Sequence, residues 1–126
     1  MTKQKALLWL IAISQFALGA LIIIIPQQFF LMMGLSSPPL DNNYMLGMLG
    51  ARFLAYGTGM VMLARQPTPN LFWIRNMIFV QLVDFAVGAF YLFSGVIGLS
   101  VVAFPMFNAA LFSTLLWFWF PNRIAA

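Results

Sequence analysis

The chain has 126 residues, 63% of them hydrophobic and only 6% charged, whereas soluble globular domains carry roughly 25% charged residues. It has no Cys and no His, which removes disulfides, thiol chemistry, thiolate metal sites and the commonest haem and zinc ligand. The net charge of +4 comes from six scattered basic residues with no basic stripe among aromatics, so the footprint of a nucleic-acid binder is absent and the expected surroundings are a lipid bilayer.

The first apolar stretch covers about residues 6–25 and contains Trp9 and Gln15. With Met1 to Lys5 before it and Ala17-Leu18-Gly19 inside it, the segment mimics a secretory signal. Its apolar run through Ile25 nevertheless exceeds the ~7–15 residues of a signal core, and a retained first span is expected. Pro26 to Asn43 follows, with an interfacial stretch at Phe29-Phe30-Leu31-Met32-Met33, then turn-forming Ser36-Ser37-Pro38-Pro39 and Asp41-Asn42-Asn43. The remaining spans are expected at about 44–64, 73–94 and 99–120. All four match the ~20 residues needed to cross ~30 Å of hydrocarbon. Short connections at Arg65-Gln66-Pro67-Thr68-Pro69-Asn70 and Ser94-Gly95-Val96-Ile97-Gly98 imply antiparallel neighbours. The expected architecture is therefore all-α, one domain over residues 1–126, folded as an up-down transmembrane four-helix bundle.

Sorting charges by connection puts Lys3, Lys5, Arg65, Arg75 and Arg123 on the side of the N-terminus and leaves only Asp41 opposite. The positive-inside rule makes that side cytoplasmic, and an even number of spans returns the C-terminus to it. Trp9, Trp73, Trp117 and Trp119 fall near the same face, as an aromatic belt requires. The two hairpins are not recognisably similar, so an inverted-repeat transporter has no direct support.

Each span carries a polar residue near its middle: Gln15, Arg52, Asp84 and Asn108. A charge at that depth costs ~2.5–3.5 kcal/mol on insertion scales and is normally turned inward, paired or exposed to an internal water cavity. The sequence midpoint of Arg52 and Asp84 is Thr68, the centre of the Pro-rich turn, so a hairpin of spans two and three sets them at similar depth. Gln81, Gly88 and Tyr91 share the helical face of Asp84; Met48, Tyr56 and Gly59 share that of Arg52. Gly47, Gly50, Gly57 and Gly59 permit close helix approach along span two. Side chains lean toward their own helix N-terminus, so Arg52 must bend back to reach a carboxylate on span three.

Two readings of this layer stay open. Arg52 and Asp84, helped by Gln15, Gln81, Asn108, Tyr56 or Tyr91, form a buried ion pair that fixes helix register. Alternatively, the layer binds the polar head, ion or proton of a largely apolar ligand. In span four, Pro105 is expected to kink the helix and free a carbonyl for Asn108 or a water, and Phe104, Phe107, Phe112 and Phe118 form a face for lipid, a quinone or a pigment, of which lipid is expected. The nine Met residues supply adaptable packing rather than a copper site.

The run Leu49-Gly50-Ala51-Arg52-Phe53-Leu54-Ala55-Tyr56-Gly57, followed by a short basic loop and an acidic third helix, resembles small bacterial four-helix membrane proteins of the DoxX-like type. The layout is also similar to that of sterol-synthesis scaffold proteins. The resemblance implies a multi-pass protein of the bacterial cytoplasmic membrane with an accessory or scaffold role. The functional expectation is accordingly a non-catalytic subunit of a larger membrane complex, partnered by other membrane subunits or by copies of itself and carrying no cofactor. The alternative is a carrier or transporter holding a lipophilic ligand at Arg52 and Asp84. An enzyme ranks last, because Asp84 is the sole carboxylate within the spans and no nucleophile, base or metal cluster accompanies it. A retinal protein is excluded because no expected span contains a Lys for the Schiff base.

Overall fold

A computed structural model describes residues 3–66 and 70–119. Among these the chain is all-helical: α1 (Lys3–Ile24), α2 (Pro26–Met32), a 3-10 turn at Leu40–Asn42, α3 (Asn43–Arg65), α4 (Leu71–Phe93) and α5 (Leu99–Phe118). The helices α1, α3, α4 and α5 are each long and apolar enough to cross a membrane, so length and composition make this a multi-pass membrane protein. Each helix boundary lies within three residues of the expected span. The largest difference is at α1, which takes Lys3 and Lys5 into its first turns. The Pro67-Thr68-Pro69 turn and Arg123 lie outside the described residues.

Local chemistry explains where the helices stop. Pro26 has no N–H and its ring collides with the preceding turn, so α1 ends at Ile24 and Pro26 becomes the first residue of α2. Ile25, restricted by the proline after it, leaves helical geometry at φ −131° and ψ 58°. The interfacial stretch is thus helical in its first part, as α2, and closes at Gly34. There φ is +88°, Gly34 N–H donates to Leu31 O at 3.0 Å, and Leu35 N–H donates to Phe30 O at 2.9 Å. That pair of bonds is a Schellman cap, which favours glycine at the left-handed position. The end of α4 repeats it: Gly95 has φ +81°, its N–H donates to Leu92 O at 3.2 Å, and Val96 N–H donates to Tyr91 O at 3.2 Å. At the other end of α4 the Asn70 side chain accepts from Phe72 N–H at 2.9 Å as an N-cap. The α5 helix runs through Pro105 from Leu99 to Phe118.

The described chain divides into two compact units. One comprises residues 8–62, hence most of α1, all of α2 and most of α3. In it α1 and α3 meet backbone to backbone. A Cβ built on Gly19 lies 2.9 Å from Gly50 O, one built on Gly50 lies 3.0 Å from Gly19 O, and one built on Gly57 lies 3.0 Å from the Phe16 ring. Lipid tails are as apolar as Leu, so helix association in a bilayer depends on such close packing rather than on hydrophobic burial. The buried positions of α1, including Leu8, Ile11, Ala12, Gln15, Gly19 and Ile22, recur at three- and four-residue spacing along one face.

The other unit takes the described residues 3–7, 63–66 and 70–119, in which α4 and α5 pack on each other. Ile74, Met77 and Gln81 of α4 and Val102, Ala109, Phe112, Ser113 and Leu116 of α5 are buried. Gly88 faces Met106, whose Cγ would lie 2.8 Å from a Cβ at that position. Lys3 Nζ sits 5.9 Å from the centroid of the Trp119 ring, within reach of a cation–π contact.

Candidate functional site

The mid-span polar residues differ in burial. The two glutamines are inside: Gln15 on α1 is 5% exposed and Gln81 on α4 is 4% exposed. Both belong to the buried faces described above. Asn108 on α5 and Tyr56 on α3 are half-buried. Arg52, Asp84 and Tyr91 are exposed on the surface of the single chain. Neither charge is buried by the packing of its own unit.

The reason for the position of Arg52 lies two residues away. Gly50 and Gly57 make the close contacts with α1, and two residues of an α-helix turn through about 200°, so Arg52 projects opposite the packed face. Its guanidinium donates from Nη1 to the carbonyl of Met48 at 2.9 Å, one turn toward the helix N-terminus, which is the lean expected of a helical side chain. A guanidinium has five N–H donors, and this bond uses one of them. The strip around Arg52 contains exposed Met48 and Ala55 and half-buried Gly59. A Cβ at Gly59 or at Gly47 meets nothing within 4 Å. The four α3 glycines singled out from sequence thus divide into a packed pair, Gly50 and Gly57, and an open pair, Gly47 and Gly59.

On α4 the buried face runs through Ile74, Met77 and Gln81. Asp84, three residues beyond Gln81, is turned about 60° from it. It belongs to an uninterrupted exposed run from Leu82 to Val87. Only 11% of the α4 span is buried, the least of the four spans. The Gln81 amide donates to the thioether sulfur of Met77 at 3.3 Å, a weak acceptor for a buried group. Tyr91, two residues before the α4 terminus, contributes its carbonyl to the Schellman cap and accepts there from Ser94 Oγ at 3.1 Å.

Asn108 makes no side-chain hydrogen bond to another described residue. Phe104, Phe107 and Phe118 are exposed as expected of lipid-facing rings, but Phe112 is 3% exposed and belongs to the buried face of α5. An open groove of about 250 Å³ on α4 and α5 is lined by Ile78, Leu82, Ser113, Thr114, Trp117 and Phe118. It contains none of the polar residues picked out from sequence.

Two structural positions went unnoticed in the sequence. Gly19, read there only as part of a cleavage-site look-alike, sits against Gly50 of α3, whose O a Cβ at Gly19 would meet at 2.9 Å. Gln27 donates from Nε2 to Asn43 Oδ1 at 2.6 Å, tying the first turn of α2 to the first residue of α3 across the intervening loop. The same amide nitrogen lies 3.4 Å from Pro38 O. Polar residues flanking a turn-rich segment are the signal for such a clasp, but partner choice depends on the path of the loop.

No family model, curated protein or solved structure matches the chain.

Proposed function

We propose that the chain is a non-catalytic accessory or scaffold subunit that works by packing against other protein inside the membrane. The supporting observation is the exposure of Arg52 and Asp84 in the middle of two spans. Left against lipid tails, each charge costs ~2.5–3.5 kcal/mol, which is a large share of a folding stability of roughly 5–15 kcal/mol. A protein neighbour that supplies hydrogen bonds and opposite charge offsets that cost. The open strip at Ala55 and Gly59 suits close approach by another helix.

In this reading the four spans form an up-down bundle with both termini cytoplasmic in the bacterial cytoplasmic membrane, as the positive-inside rule and the likeness of residues 49–57 to DoxX-like proteins suggest. The alternative is a carrier holding a lipophilic ligand at Arg52 and Asp84; the groove on α4 and α5 includes neither residue. The test is native mass spectrometry of the protein extracted from its own membrane. Bound protein subunits, whether other chains or further copies, are the expected result. A monomer carrying only lipid refutes the proposal.

A further inference from the structure

The exposed cation and the exposed anion occur on the same chain, and each stands at the same distance from a helix end. Arg52 is thirteen residues before the end of α3 at Arg65, and Asp84 is thirteen residues after the start of α4 at Leu71. At 1.5 Å per residue both lie about 20 Å along their helices from those ends. In copies inserted with one orientation, the Arg52 strip of one and the Asp84 strip of another meet at matching depth.

We propose that the partner is a second copy of this chain, with Arg52 of one copy paired to Asp84 of its neighbour. This rests on the reading of the chain as a subunit that packs against protein, and it names the occupant. Charge complementarity is the argument. A foreign partner must bring an acid to Arg52 and, separately, a cation to Asp84, whereas a second copy carries both at the required depth. Steric fit is the second argument. The strip beside Arg52 has a hollow at Gly59, where a Cβ would meet nothing within 4 Å, so another helix can approach the α3 backbone there.

The experiment co-expresses two differently tagged full-length copies and measures their co-purification in mild detergent, alongside native mass spectrometry for other subunits. Wild-type copies retain one another. Arg52→Gln copies alone, or Asp84→Asn copies alone, lose self-association by about tenfold or more, the scale expected when one partner of a desolvated charge pair is removed. The deciding arm mixes them. An Arg52→Gln copy with an Asp84→Asn copy still offers one intact bridge, so co-purification recovers well above that of either variant alone. Absence of recovery, as a pairing inside each chain predicts, overturns the proposal, and so does undiminished self-association of both single variants.

Gly59→Leu covers the case in which a charge variant folds poorly, since a Cβ at that position meets nothing of its own chain within 4 Å. It is expected to keep the monomer folded and to block co-purification, and unchanged co-purification would overturn the placement on the Arg52 strip. If only foreign subunits are retained, the second copy is overturned while the accessory role stands. If nothing is retained, both fall.

Discussion

Gly19 of α1 and Gly47, Gly50 and Gly59 of α3 make a graded test of how this protein packs. Alanine at Gly50 places a Cβ 3.0 Å from Gly19 O and against the Ile23 side chain; alanine at Gly19 places one 2.9 Å from Gly50 O and from Leu54 Cδ2. Leu54 and Ile23 can shift by rotamer changes, but a helix carbonyl cannot move without displacing its whole helix. The expected cost is that of overpacking, about 1–3 kcal/mol, or a shift of roughly 5- to 150-fold in the folding equilibrium. Alanine at Gly47 or Gly59 meets nothing within 4 Å and has the better helix propensity, so stability stays level or rises by up to about 1 kcal/mol. The assay is reversible unfolding in a detergent that keeps the chain monomeric, so that association does not enter. If Gly19→Ala and Gly50→Ala are no more destabilising than Gly47→Ala and Gly59→Ala, the backbone contact between α1 and α3 is wrong, and with it the reason that Arg52 points away.

The Gln27–Asn43 bond at 2.6 Å is expected to show a coupling of about 0.5–1.5 kcal/mol in a double-mutant cycle of Gln27→Ala and Asn43→Ala, with strictly additive effects counting against the clasp. Gly34→Ala and Gly95→Ala each force a Cβ into left-handed backbone and should cost about 1–2 kcal/mol, read as faster amide exchange at Leu35 and Val96. Gln81→Leu replaces a buried amide held by a thioether and should leave monomer stability unchanged or raised; a loss beyond about 2 kcal/mol would show that the amide has a stronger partner.

The number, place and approximate ends of the spans were legible in the sequence because a bilayer imposes requirements that composition alone can meet. About 20 apolar residues are needed per crossing, every backbone group must be satisfied within its own helix, and prolines, glycines and charges gather where the chain leaves the lipid. Pro26, Ser94 to Gly98 and Arg65 with the Pro-rich connection after it therefore marked boundaries that the structure reproduces within three residues. The rotation of each helix about its axis was not legible. In a soluble protein a polar stripe records which face meets water, but these helices are apolar all round and carry no such record. Arg52 was expected inside because a charge in the membrane is costly. It points away from α1 because Gly50 and Gly57, rather than Gly47 and Gly59, are the pair that closes on α1. That choice depends on where Gly19 and Phe16 stand on another helix, which only the tertiary structure decides.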